Sequence, residues 1–123
     1  MPEVELEMRF ASETSMVAVS RRRLVEVAER LGCGAIDAVA IIVSELVANA
    51  VEHGRGPVTL RAVHRRGRLR IEVHDRGPGA PEVRTAAPDA ERGRGMYIVA
   101  NLAVGWGVET GTTGKTVWAE CRC

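Results

Sequence analysis

Two polar side chains one helical turn apart, Glu45 and Asn49, interrupt the apolar stretch Ala35–His53. A carboxylate can take or hand on a proton, and an amide oxygen is a neutral, hard ligand that suits Mg²⁺. Half-burying either one among apolar residues is costly unless it finds a partner. Glu52 and His53 follow at helical spacing on the same side. From this helix alone, a solvated stripe on an ordinary surface helix reads equally well. Two glycine-punctuated segments downstream, Asp75-Arg-Gly-Pro-Gly79 and Gly93-Arg-Gly-Met96, shift the balance. Glycines of this kind either let the backbone approach a ligand without a Cβ in the way or simply form turns.

Two other constellations carry less chemistry. Gly111-Thr-Thr-Gly-Lys-Thr116 looks like part of a phosphate-binding P-loop, G-x-x-x-x-G-K-[ST]. Counting back from Gly114, however, puts Glu109 where the first glycine must stand, and too few residues follow Thr116 for the obligatory helix. Cys33, Cys121 and Cys123 are odd in number, so they suit a reducing cytoplasm better than a disulfide framework. A lone C-x-C is also weak as a zinc site without a second ligand pair.

The elements that must position these residues follow from hydrophobic periodicity. Val4, Leu6, Met8 and Phe10 alternate with charged residues, which predicts a half-buried strand. Ser12-Glu-Thr-Ser15 offers N-cap candidates for a helix to about Leu31, with Val17, Leu24, Val27, Ala28 and Leu31 inside and Arg21–Arg23 on a solvated face. The central helix over Ala35–His53 buries Ile36, Val39, Ala40, Val43, Leu46, Val47 and Ala50. Strands over Val58–His64 and Leu69–His74 read as a hairpin around Arg65-Arg-Gly67. Asp75 closes the second of them. Residues 76–94 show no period, and a loop this long in a compact domain is usually functional or disordered. A short helix over Gly95–Leu102 turns Met96, Ile98, Val99 and Leu102 inward. Strands over Val104–Glu109 and Thr116–Cys121, joined by Thr110–Gly114, end the chain. The sum is an α+β two-layer sandwich, with a mixed, mainly antiparallel five-stranded sheet and three helices on one face.

Length and charge set outer bounds. A chain of 123 residues suits a single domain over residues 1–123. Seventeen basic residues against sixteen acidic ones give no reason to expect direct nucleic-acid contact. No apolar run approaches the roughly 20 residues of a membrane helix, and the start lacks the pattern of an export signal. These features predict a cytoplasmic protein without a membrane partner.

The order Glu45…Asn49, Asp75-x-Gly-x-Gly79, a loop, then Gly93-x-Gly95 opening a helix resembles the GHKL ATP-binding family. That family includes the ATPase domains of sensor histidine kinases, gyrase-type topoisomerases, mismatch-repair proteins and certain chaperones. The likeness runs from the first strand to Glu120 and implies the Bergerat ATP-binding fold, with ATP and Mg²⁺ as ligands. It makes Asn49 the Mg²⁺ ligand and sets Glu45 near the γ-phosphate, to orient or deprotonate the attacking hydroxyl or water. Asp75 then accepts a hydrogen bond from the adenine amine and rejects guanine, whose carbonyl there is also an acceptor. Gly77 and Gly79 admit the base. Gly93, Arg94, Gly95 and Met96 form the stretch that meets the phosphates at a helix start, with Arg94 either a phosphate fork or a solvated lid residue. Thr116 matches a position where the family often places a hydroxyl near adenine. His53 and His74 have no part in the pattern.

What the sequence lacks points to a subclass. It holds no helix pair with a phosphoacceptor histidine and no transducer domain, and the segment Ala80–Arg92 makes a short lid. A small free-standing domain of this kind looks like the bacterial anti-sigma-factor serine/threonine kinases. Those bind a sigma factor and phosphorylate a STAS-domain anti-anti-sigma protein with Mg-ATP; a homodimer is compatible with the resemblance. The alternatives are a nucleotide-dependent binding module without phosphoryl transfer and a stand-alone ATPase. Glu45 favours the kinase, since a pure binder has no need of a carboxylate beside a triphosphate.

Overall fold

The computed structural model describes residues 3–78 and 94–123, with Arg94 described by its backbone only. Along the chain run β1 (Glu3–Phe10), α1 (Ser15–Leu31), α2 (Ile36–His53), β2 (Val58–Arg65), β3 (Arg68–Asp75), α3 (Arg94–Leu102), β4 (Gly105–Gly111) and β5 (Gly114–Arg122). The strands form one open sheet in the order β1-β2-β3-β5-β4. All four pairings are antiparallel, so the sheet is not the mixed one that was expected.

Among the described residues three helices cover one face of that sheet, and the core lies between the layers. Strict alternation supplies the sheet side: Val58, Leu60 and Ala62 on β2, Leu69, Ile71 and Val73 on β3, and Val117, Ala119 and Cys121 on β5 are all buried. The helices answer with Leu24, Val27 and Ala28 from α1, Val39, Val43, Leu46, Val47 and Ala50 from α2, and Met96 and Val99 from α3. Ile42 is fully buried as well, although it lies outside the expected stripe on α2. Leu102, expected inside, is instead 40% exposed. The opposite face of the sheet is a lattice of charge. Arg61 pairs with Glu7 and Glu72, and Arg70 pairs with Glu72 and Glu109 while stacking 4.2 Å over the Trp118 ring.

Local features depart from the simple pattern for identifiable reasons. In β1 the register shifts between Val4 and Leu6. Leu6 pairs with inward Ala62, but Val4 pairs with outward Val63 and is 51% exposed. One extra residue, Glu5, breaks the period of two and turns its carboxylate to Arg30 of α1, 3.0 Å away. No side-chain cap closes the start of α1; Ser12 Oγ instead donates to the Val51 carbonyl at 3.5 Å. At the other end of α1, Gly32 is left-handed and Cys33 N–H returns to the Ala28 carbonyl at 2.9 Å, a Schellman closure.

That closure sets Cys33 over the end of the sheet, where it forms a disulfide with Cys123. The expectation of three reduced cysteines is therefore corrected, and Cys123 is not free to join Cys121 around a metal. Cys121 stays a buried free thiol, and burial pushes its pKa up to about 11. Thiol titration checks the pairing. The unreduced protein should release one thiol, from Cys121, and only on denaturation, whereas Cys33→Ser should release two. Breaking the crosslink should also cost about 2–4 kcal/mol of stability. Three reactive thiols in the unreduced parent would rule the bond out.

Candidate functional site

Helix α2 carries Glu45 and Asn49 half-buried on one side, each flanked by core residues that fix the helix rotation. The start of α3 packs directly on this side: a Cβ placed on Gly95 would collide with the Glu45 Oε2 atom. Any residue larger than glycine there must push the carboxylate away. Burial, with a smaller contribution from the nearby negative charge of Glu52, raises the pKa of Glu45 above the usual carboxylate value. The result is a more basic carboxylate than a free one, poised one turn from an amide oxygen.

Farther along α2, the chain closes around Asp75. Alternation along β3 sends Asp75 inward after Leu69, Ile71 and Val73, and only 1% of it is exposed. Its Oδ1 accepts a hydrogen bond of 2.6 Å from the Gly77 N–H. Its Oδ2 is buried with no hydrogen-bond partner. Around this carboxylate the backbone comes so close that side chains are excluded. A Cβ on Gly54, just past the end of α2, would strike the Asp75 carboxyl, one on Gly77 would strike its Oδ1, and one on Gly114 would strike the Asp75 and Arg76 backbone. The Arg76 N–H donates to the Arg55 carbonyl at 2.8 Å and ties the loop to the helix end. Gly95 and Gly54 are nine residues apart where they meet α2, so the two halves of the site are roughly 13 Å apart along the helix.

The residues expected to form a site thus fall into three groups. Glu45 and Asn49 share a face of α2 that meets Gly95, and Asp75 and Gly77 stand at the far end of the same helix. Thr116 and Met96 are not brought to them. Thr116 points to the opposite face of the sheet, where its Oγ1 lies 3.1 Å from His74 Nδ1, and the Met96 side chain is in the core. Gly79, Gly93 and the side chain of Arg94 lie outside the described residues, as does the segment Ala80–Arg92.

One residue at the site was not anticipated. Lys115, the only lysine in the sequence, pairs in register with Asp75 across β3 and β5. It is 3% exposed, and its Nζ lies 3.9 Å from Asp75 Oδ2. The signal for it was available: counting back by twos from Val117 puts residue 115 on the inner face. The β4–β5 connection is also shorter than expected. Thr110 and Gly111 already pair with Lys115 and Gly114, leaving Thr112 and Thr113 as the turn. As a whole the site offers a more basic carboxylate, an amide oxygen, an unpartnered buried acceptor and a buried cation beside it.

Comparison with known proteins bears on the fold and the family. No curated protein matches the chain. Among solved structures, the RsbU and RsbW domains of Rv1364c from Mycobacterium tuberculosis align at a TM-score of 0.71 and 21% identity, over 99% of this chain and 32% of that one. A histidine kinase domain from the Erythrobacter litoralis EL346 blue-light activated histidine kinase aligns at 0.54 and 23% identity, over 86% of this chain and 60% of that one. This chain therefore spans about a third and three fifths of the two proteins. At these identities the alignments establish a shared fold. The sequence model of the histidine kinase-like ATPase domain matches residues 10–121, nearly the whole chain, and the protein belongs to that family.

Proposed function

We propose that this ATPase-family domain is an ATP-dependent protein kinase that phosphorylates a serine or threonine on a STAS-domain anti-anti-sigma partner and restrains a sigma factor. The observation that carries the kinase reading is Glu45. It is a carboxylate kept half-buried against Gly95, with its pKa raised, one turn from Asn49. A module that only held a nucleotide would gain nothing from placing that charge there. The partners are supported by the resemblance to the anti-sigma-factor kinases and by the likeness to a structure containing an RsbW domain. A cytoplasmic site of action follows from such partners. It no longer draws support from the cysteines, two of which are bonded to each other.

ATP fits what the residues offer. The open Oδ2 of Asp75 lacks a donor, and a purine amine is one. Bound Mg²⁺ would supply charge neutralisation and bridge the phosphates, and Asn49 is the residue to hold it. Among the described residues no group of three His, Cys, Asp or Glu side chains gathers to hold a metal. That suits an ion which leans on phosphate and water oxygens for its other ligands. Glu45 would orient the attacking hydroxyl of the protein substrate and take its proton. Its upward pKa shift makes it a stronger base, and it must be ionised to act.

The direct test incubates the protein with labelled ATP and STAS-domain proteins; label on serine or threonine is the expected outcome, and free phosphate alone would mean an ATPase. Asn49→Ala should abolish Mg-dependent ATP binding with the fold intact, and unchanged Mg-ATP affinity would remove Asn49 as the ligand.

Replacing the base separates binding from transfer. Glu45→Gln should keep ATP binding while transfer falls about 10²–10⁴-fold. In the parent, transfer should decline on the acid side at a higher pH than a free glutamate would impose. The same substitution has a stability signature. A carboxyl whose folded pKa is raised favours the fold while protonated, and this contribution is lost as pH rises through the folded value. Glu45→Gln should therefore melt above the parent at neutral pH, and the gap should close as pH falls through the carboxylate range. A gap that is constant with pH would mean the carboxylate is freely solvated.

A further inference from the structure

The Asp75 end of the site contains a contradiction if it is read as an adenine-specific pocket. A carboxylate alone selects the 6-amino group of adenine, because a 6-oxo group would set two acceptors face to face with no proton between them. In a buried site such a mismatch is what makes discrimination steep, commonly about 10⁴-fold or more. Here the carboxylate is not alone. Lys115 is buried beside it and 3.9 Å from Oδ2, the oxygen that has no hydrogen-bond partner. That separation is too long for a hydrogen bond. The ammonium therefore retains donors that Asp75 does not use, and Lys is acceptor-free with three rotatable donors.

Building on the nucleotide site proposed above, we infer that Lys115 is a base-reading residue. With it, the Asp75 pocket accepts 6-oxopurine nucleotides, GTP and ITP, as well as 6-aminopurine ATP. With adenine, the amine donates to Oδ2 and a Lys115 N–H is available to a neighbouring ring nitrogen. With guanine or hypoxanthine, a Lys115 N–H stands between the 6-oxo group and Oδ2, donating to the base oxygen while its charge neutralises the carboxylate. The flexible stem of lysine allows both arrangements. Neither purine then leaves a buried acceptor facing another.

The experiment measures ATP and GTP affinities by calorimetry with Mg²⁺ present, on the parent, Lys115→Met and Lys115→Gln. The parent should bind the two within about tenfold of each other. Lys115→Met has similar length and no donor, and should keep ATP while losing GTP, widening the ratio at least tenfold, as expected for one unmet buried acceptor. Lys115→Gln restores a donor without the charge and should recover part of the GTP affinity. Purely structural loss would weaken both nucleotides together and leave the ratio unchanged. If Lys115→Met does not fold, the parent's own ratio decides, and a preference for ATP above about a hundredfold overturns the inference. Tight ATP binding that appears only after Lys115 is replaced would overturn it too, by making the lysine an occluding residue. Failure of the folded parent and both folded variants to bind any purine nucleotide would reject the nucleotide site itself, an outcome separate from a steep ATP preference.

Discussion

Asp75 ends β3 inside the protein, with one oxygen on the Gly77 N–H and the other open, and the surrounding backbone is shaped to leave it so. Gly54 brings the end of α2 against its carboxyl, Gly77 turns the chain back towards it, and Gly114 lets β5 begin on top of its backbone. A carboxylate in this position is expensive to bury. Replacing it by an apolar residue would remove the penalty and tighten the cradle, so folding alone gives no reason to keep it. Lys115 offsets the charge but does not fill the oxygen. The arrangement leaves one buried acceptor for which the protein itself supplies no donor within hydrogen-bond distance.

Helix α2 is pulled in two directions by its place in the fold. Its core side, from Val39 to Ala50, joins both layers and fixes the helix against the sheet. The adjoining side carries Glu45 and Asn49, and the rigidity of the packed side positions them. A carboxylate held between a packed helix and the first turn of α3 cannot swing freely, and burial raises its pKa for the same reason. Precision at the site and a small loss of stability have one origin.

Most of this architecture can be read from periodicity. Alternation gave β1 and β3 and helical spacing gave the helices, because in each the inward residues are apolar and the core selects them. Several failures share a cause: one residue changes phase, or a contact joins residues remote in sequence. Glu5 adds a residue to β1 and flips Val4 outward, which a fixed period of two cannot anticipate. Thr116 drew attention through its hydroxyl, yet register with His74 sends it to the wrong face, and Lys115 takes the place beside Asp75. The Cys33–Cys123 bond joins residues 90 apart, a closeness set by the Schellman turn after α1 and the length of β5. Residue type and spacing singled out Glu45, Asn49, Asp75 and Gly77, which lie along α2 and at its far end, whereas Gly54 was legible only as a helix end. Its role depends on where β3 delivers a carboxylate.

The costs left standing in the fold point in one direction. An unmet buried acceptor is destabilising, commonly by about 1–3 kcal/mol, and a half-buried carboxylate near a like charge adds a smaller, solvent-screened cost. A small domain has only about 5–15 kcal/mol of stability in all. Costs of that size persist where local preference yields to function, and the two here sit at opposite ends of a single helix face. Ser20, whose hydroxyl is also buried without a partner, shows that an unmet polar atom alone is not a site. What sets Asp75 apart is the conjunction of an open oxygen, a backbone cradle with no room for side chains and a buried cation within reach. A molecule that donates to Oδ2 recovers part of the cost on binding, so its affinity includes energy the empty fold has already spent on shape.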